Sequence, residues 1–424
     1  MGKADRSRPR SAAPVKYQAM HEVKAGLVPL YVWAVVVATA VQALGALGHL
    51  ALPVLAGEAA RDFGVDPGLI GVYSGIVFAG SAVSSLALAG SVPRIGVVRV
   101  SQLALICSSL GLALLALGEA WLLPISALLV GAGYGPMTPS SSFLLARMVP
   151  ARMMSLVMSI KQTGVPIGYG LAGLLLPAVA IVSDWQTAIL TAAGMAVALA
   201  VALVPVRRRL DAVRGKGQPF RWRSVLAPLA LVARVPGLRR MAICSLAFSA
   251  VQIGIASFMV VYLDSVVGMG LPEAGSILAI ANACAIGGRI LWGGVADRIA
   301  ARWVLGGLAF GMAAGVAALM AVTIEWPYVL IIAVGVVIGG TVISWNGVFL
   351  AETARQAPEG EVSEAMGGVL FVTFTGSVIG PPALTALLTV TGSYMVGFGL
   401  LVCVALAMAA MFFFAQPDSH QDEA

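Results

Sequence analysis

The sequence predicts an all-α polytopic membrane protein, with twelve transmembrane helices arranged as two six-helix pseudo-symmetric bundles. Three observations carry that expectation: a shortage of charge, twelve apolar stretches of spanning length, and an internal repeat. Of 424 residues, 59% are hydrophobic and 11% charged, with 49 glycines and a mean hydropathy of +0.96. A soluble domain carries roughly 25% charged residues, so this chain lacks the polar groups needed to cover a water-facing surface. Soluble enzymes, disordered chains and disulfide scaffolds are excluded on that ground.

A bilayer's hydrocarbon core is about 30 Å thick and takes about 20 helical residues to cross. Measured against that length, apolar spans fall near 28–56, 68–89, 97–117, 120–145, 154–179 and 186–206. Six more fall near 241–264, 272–294, 303–324, 327–350, 366–390 and 393–415. The expected organisation is therefore two bundles, 28–206 and 241–415, a linker at 207–240, and tails at 1–27 and 416–424. The linker holds Phe220-Arg221-Trp222-Arg223 and an apolar run over 225–233 that is too short to cross. Such a run among basic residues reads as a helix lying in the membrane interface.

The 26 Lys and Arg residues decide orientation. With the N-terminus inside, 23 of them lie in the N-terminal arm, the linker and the other inner loops, and Arg61 alone lies in an outer loop. That asymmetry follows the positive-inside rule and predicts a multi-pass protein of the cell (inner) membrane with both termini cytoplasmic. The net charge of +7 is then a mark of topology, and no nucleic-acid partner is expected. The first apolar run has full span length behind a long basic arm, unlike a signal peptide. The arm reads as a disordered segment that touches anionic lipid. Cys107, Cys244, Cys284 and Cys403 lie in separate spans without CxxC spacing, so neither a metal nor a disulfide framework is expected. The chain has no Gly-x-x-x-x-Gly-Lys-Ser/Thr loop to cradle a nucleotide, and no cofactor is expected.

The chain repeats itself at a spacing slightly above 200 residues. Ala89-Gly-Ser-Val-Pro-Arg94 precedes span three, and Gly293-Gly-Val-Ala-Asp297-Arg298 precedes span nine. Phe143-Leu-Leu-Ala-Arg147 ends span four, as Phe349-Leu-Ala-Glu-Thr-Ala-Arg355 ends span ten. Thr163-Gly164 with Gly168 in span five answers Thr375-Gly376 with Gly380 in span eleven. Parallel repeats of this kind place a substrate site at their interface near mid-membrane.

Twelve spans in two halves, a long central inner loop and Gly293-Gly-Val-Ala-Asp297-Arg298 resemble the major facilitator superfamily, over essentially the whole chain beyond the tails. The resemblance implies a transporter that is not an enzyme, with Asp297 and Arg298 matching the Gly-x-x-x-Asp-Arg motif that locks the inner gate. The first-half copy keeps Arg94, expected at the gate, but has Pro93 in place of the acid, and proline cannot accept the charge-assisted hydrogen bond a carboxylate would. Gly164 and Gly168 present a close-approach surface expected to contribute to gating.

Ionisable side chains at mid-membrane are costly and mark function by default. Lys161 lies about 13 Å beyond Arg152 along span five, and Arg289 about 12 Å from Asp297 along span eight, at 1.5 Å per residue. One cation from each half at similar depth suits an anion, with Arg able to hold a carboxylate in two-pronged fashion. The competing reading is snorkelling toward the inner headgroups. Gln42, Tyr73, Tyr134, Gln162, Gln252, Asn282, Trp345 and Asn346 are further polar or aromatic residues at span depth, each expected either to line the path or to pack helices. Arg289 within Ile-Gly-Gly-Arg-Ile-Leu-Trp also resembles the span-eight arginine of monocarboxylate and oxalate–formate carriers, which implies a carboxylate substrate. The lysine that the oxalate carriers place in span eleven is absent, and Lys161 lies in span five instead.

The 19 acidic residues fall in tails, loops or span edges. A coupling proton therefore has His49, an edge carboxylate or the substrate itself to ride on, whereas anion exchange needs none of these. His49 reads equally as a hydrogen-bonded packing residue. The expected function is secondary transport of small organic anions, as proton symport or anion exchange, by a monomer whose partners are substrate, lipid and protons. The alternative is a proton-coupled exporter of drugs or metabolites. Span four lacks the arginine of such antiporters, although Gly376-Ser-Val-Ile-Gly380-Pro381 in span eleven resembles their Gly-x-x-x-Gly-Pro signature.

Overall fold

A computed structural model describes residues 29–64, 69–212 and 225–414. The N-terminal arm, Phe220-Arg221-Trp222-Arg223 and the tail at 416–424 lie outside the described residues. Hydrocarbon offers a backbone no hydrogen-bond partner, so crossing segments must satisfy their own peptide groups as helices. Twelve segments long and apolar enough to cross occur among the described residues. In the first six they are α1 (Leu30–Val54), α2 (Leu69–Ala89), α3 (Val97–Leu115), α4 (Leu123–Tyr134 and Met137–Met148), α5 (Met154–Gln162 and Gly164–Val182) and α6 (Trp185–Ala202). In the second six they are α7 (Pro236–Ser265), α8 (Leu271–Ala296), α9 (Ala301–Ala321), α10 (Tyr328–Thr341 and Asn346–Gln356), α11 (Val362–Thr391) and α12 (Tyr394–Phe414).

Two features differ from the hydropathy reading. The helix α7 starts at Pro236 rather than near 241, so Arg239 and Arg240 belong to it. Proline is favoured at a helix start, and long basic side chains can sit past the apolar boundary. Three spans are also interrupted. The break in α4 falls at Gly135-Pro136, that in α5 at Thr163, and that in α10 over 342–345. Proline at 166 supplies no N–H, so the carbonyl of Gln162, four residues earlier, has no helical donor.

Each helix of the second six has the partner of its counterpart in the first. Helix α1 packs on α5 as α7 packs on α11, α2 on α4 as α8 on α10, and α3 on α6 as α9 on α12. The two sixes meet where α2 runs along α11 and where α5 lies against α8, contacts that a two-fold rotation would exchange. Large apolar side chains such as Leu174, Ile181, Phe310 and Val390 stay exposed on the outside, as a lipid solvent permits.

The loops are tied to helix ends. Gly96, at φ +102°, leaves room for the Asp211 carboxylate, whose Cγ would lie 2.6 Å from any Cβ added there. Asp211 accepts from the Val98 N–H at 2.8 Å and so fastens the chain after α6 to the start of α3. Asp184 caps α6 by accepting from the Thr187 N–H, a bond that holds its carboxyl below the usual carboxylate range. In the linker, the helix Ala227–Arg234 buries Pro228 and Val232 and presses the Pro228 carbonyl against Gly368 of α11.

Packing also separates two classes of glycine on α5. Gly168 faces the Ala43 carbonyl and Ala46 of α1, whereas a Cβ added at Gly170 would meet nothing within 4 Å. Gly168→Ala should therefore overpack the contact and cost about 1–3 kcal/mol. Gly170→Ala should stabilise the helix by about 0.5–1 kcal/mol. Thermal unfolding of both variants in detergent checks the pair, and a loss of equal size at Gly170 would refute the assignment of faces.

Candidate functional site

Halfway along the spans, each half carries a matching polar bridge. In the first, Gln42 of α1 donates to the Tyr134 hydroxyl of α4 at 3.2 Å and accepts from the Thr138 hydroxyl at 3.0 Å. In the second, Gln252 of α7 accepts from the Trp345 indole N–H at 2.8 Å and from the Asn346 amide at 3.4 Å. Both bridges sit beside a helix break, where side chains gain room to turn inward. Five of the polar residues singled out by depth alone (Gln42, Tyr134, Gln252, Trp345 and Asn346) thus form two counterparts of a single device.

Between the bridges lies Arg289, 1% exposed. Its Nε and Nη2 donate to the Ile343 carbonyl in the unwound turn of α10, at 3.2 and 3.0 Å. Its Nη1 donates across to the Gln162 carbonyl, the one that Pro166 leaves without a helical donor. The guanidinium therefore joins α8, α10 and α5, and with them both halves. Lys161 is completely buried, and its Nζ has no hydrogen-bond partner. The side-chain Oε1 of Gln162 is likewise buried and unpartnered. Snorkelling would place a cationic head in water or headgroups, and neither head is so placed. Nor does either line an open cavity in this arrangement, because both are enclosed.

The other candidates lie elsewhere. Asn282 donates to the Leu278 carbonyl of its own helix, and Tyr73 meets the Ser126 hydroxyl at 3.2 Å. Gly164 and Gly168 contact the Thr39 and Ala43 carbonyls of α1, so both glycines pack within the first half. His49 is buried with Nδ1 unpartnered. Its ring lies 4.5 Å from Phe78, 5.4 Å from Tyr134 and 6.3 Å from Tyr169, centroid to centroid.

At the end carrying the basic loops, Asp297 reaches from α8 to the start of α5. Its two oxygens accept from the Ser155 and Leu156 N–H groups at 2.8 and 2.9 Å. Free N–H groups and the positive end of the helix dipole favour a carboxylate there. Arg355 completes the cluster, bonding the Ser155 hydroxyl at 2.7 Å and lying 3.4 Å from Asp297 and 3.3 Å from Glu352. Arg298 itself is exposed. In the first-half copy, Pro93 offers no such acceptor. There Ser363 of α11 donates to the Ala89 carbonyl at 2.5 Å, and Arg147, the counterpart of Arg355, lies over the Phe143 ring at 4.4 Å. Arg94 is exposed. Sequence reasoning misses Arg355 and Ser155 as members of this cluster, although the correspondence of Arg355 with Arg147 in the repeat is a usable signal.

A sequence profile described as the Major Facilitator Superfamily matches residues 35–356. The chain belongs to that superfamily. Its fold is similar to that of the FucP transporter in the outward conformation, with a TM-score of 0.67 at 16% identity over 92% of this chain and 100% of that one. A structure of the E. coli fucose:proton symporter FucP is similar at 0.67 and 15%, over 91% and 100%. The human organic anion transporter MFSD10 (TETRAN) is similar at 0.72 and 14%, over 89% and 98%. No curated protein matches by sequence. At these identities the structures establish the fold alone. That fold is the one superfamily members use for secondary transport by alternating access, and it is not an enzyme's.

The two interactions at Asp297 differ in worth. A charge-assisted bond to a helix N–H contributes about 1.5–3 kcal/mol, whereas a part-exposed ion pair contributes about 0–1 kcal/mol. Asp297→Ala should therefore cost about 2–4 kcal/mol and Arg355→Gln, which also gives up the bond to the Ser155 hydroxyl, about 1–2 kcal/mol. Denaturation midpoints of the two variants test the ranking, and equal losses would reverse it.

Proposed function

We propose that this protein is a secondary carrier of small organic anions, chiefly carboxylates, in the cell membrane with both termini cytoplasmic. The observation that carries the proposal is Lys161, whose buried Nζ has no hydrogen-bond partner, in a layer that also holds Arg289. Asp297 and Glu352, acids on α8 and α10, belong to the cluster at the basic end. An unpaired buried charge costs several kcal/mol, and a substrate carboxylate would supply the missing counter-charge.

Arg289 fits the same cycle. Its bonds to the Gln162 and Ile343 carbonyls occupy the fork that a carboxylate would take, so anion binding exchanges carbonyl acceptors for a charged one. Because those carbonyls belong to both halves, the exchange would loosen one tie between them at the moment the substrate arrives. A ligand moves an equilibrium only through different contacts in the two states, and this is such a difference. The fold neighbours include both a sugar:proton symporter and an organic anion transporter, so the preference for an anion rests on the residues. The exporter alternative keeps its Gly376-Ser-Val-Ile-Gly380-Pro381 signature in α11, whose glycines lie against α7 at Leu246 and Ala250, but it gives the buried Lys161 no counter-charge.

In proteoliposomes, Lys161→Gln should reduce carboxylate uptake by at least about tenfold with the fold retained, Arg289→Gln should do the same while also lowering thermal stability, and Arg289→Lys should be intermediate because it keeps charge and loses the fork. Unchanged uptake in both Gln variants would sink the proposal. Thermal stabilisation by cationic amphiphiles and by no acid would favour the exporter. Uptake driven by an imposed proton gradient identifies symport, and acceleration by anion on the opposite side identifies exchange.

A further inference from the structure

The aromatic rings around His49 have no part in the gate or the polar bridges, apart from Tyr134. They come from both halves. His49 (α1), Phe78 (α2), Tyr134 (α4) and Tyr169 (α5) belong to the first six helices, and Phe374 (α11) closes from the second, 6.3 Å from Phe78 and 6.2 Å from Tyr134. Phe78 and Tyr169 are partly buried, both touch the buried His49 and both lie mid-span. The His49 Nδ1 inside the cluster is buried and bonds nothing.

The cluster begins beside the cations and ends at that nitrogen. Tyr134 bonds Gln42, and the Gln42 side chain lies against Gly164, just past the Gln162 carbonyl that Arg289 holds. His49 is seven residues beyond Gln42 on α1, and Tyr169 seven beyond Gln162 on α5. At 1.5 Å per residue both steps are about 10 Å, directed away from the basic end. A cationic pair, a run of rings and an unsatisfied hydrogen-bonding atom therefore follow one another along the membrane normal.

We infer that the transported anion carries an aromatic ring, with a hydrogen-bonding group on the side of the ring opposite its carboxylate. This inference rests on the anion reading above and narrows it. The carboxylate lies on Lys161 and Arg289, the ring stacks or meets edges among Tyr134, Phe78, Tyr169 and Phe374, and the far polar group satisfies His49 Nδ1. A short aliphatic acid meets the cations and leaves both the rings and the imidazole nitrogen unused. Contact with Phe374 also gives the ligand a hold on the second half, so ring binding favours the closed arrangement of the two.

Equilibrium binding to the purified full-length protein tests this with three acids: lactate, 3-phenylpropionate and 3-(4-hydroxyphenyl)propionate. Affinity should rise in that order, by about tenfold at each step. His49→Phe keeps a ring and removes the nitrogen, so it should bring the ratio between the two aryl acids to about one. Phe78→Leu should lower the ratio of aryl acid to lactate by about tenfold. Lactate binding as tightly as the aryl acids overturns the inference and leaves the anion reading intact. An unchanged hydroxyl preference in a folded His49→Phe protein overturns the role of His49. Should that variant not fold, the series on the unaltered protein decides. Binding of none of the three acids, with cationic amphiphiles bound instead, removes the anion reading itself.

Discussion

A helix crossing hydrocarbon can break only where some other group takes up the peptide groups the break sets free. In this transporter that group is Arg289. The carbonyl of Gln162 lacks a helical donor because Pro166 has no N–H, and the carbonyl of Ile343 lacks one because α10 unwinds beside it, leaving only a long contact of 3.5 Å from the Asn346 amide. One guanidinium covers both. The breaks, in turn, are what let Trp345, Asn346 and Gln162 leave the regular helical register and converge. Without Arg289 two interrupted helices would carry unsatisfied polar groups at the deepest point of the membrane. The middle of the fold therefore depends on an arginine whose own charge is expensive there, and the two costs offset each other.

The same arginine ties the halves together at mid-membrane through hydrogen bonds. Elsewhere the halves meet by close packing of small residues, as where Gly293 and Gly347 enclose Ser159, or Gly367 meets Ser85 and Ala89. At the basic end they are tied again, but unequally. Asp297 caps the start of α5 through two charge-assisted bonds, while the corresponding junction on the other side has the Ser363 hydroxyl on the Ala89 carbonyl. Proline at 93 in place of an acid thus leaves one junction with charge-assisted bonds and one with a neutral bond.

Much of this organisation is legible in the sequence. The shortage of charge sets the solvent, span length sets the number of crossings, and repeat motifs set the pairing of the halves. The acid Asp297 stands out because its neighbours Gly293 and Arg298 form a motif. Arg355 reads only as a topology marker, since a basic residue at a loop edge looks the same whether or not it faces a carboxylate. Tyr169, Phe78 and Phe374 escape notice for a related reason. Aromatic residues in an apolar span fit lipid, packing and ligand alike, and only the rings' mutual distances separate the three.

The sequence by itself determined that this chain lives in a membrane, crosses it twelve times, repeats its plan, and carries two cations where hydrocarbon penalises them. Those properties follow from composition and spacing, which act along the chain and need no knowledge of neighbours. The tertiary structure decided that Arg289 rests on two backbone carbonyls, that the Lys161 Nζ has no hydrogen-bond partner, and that His49 is ringed by aromatics in a cluster drawn from both halves. Each of these depends on atoms far apart in sequence and a few ångströms apart in space. Hydrogen bonds and ring contacts act only at that range, so only the folded chain could reveal them.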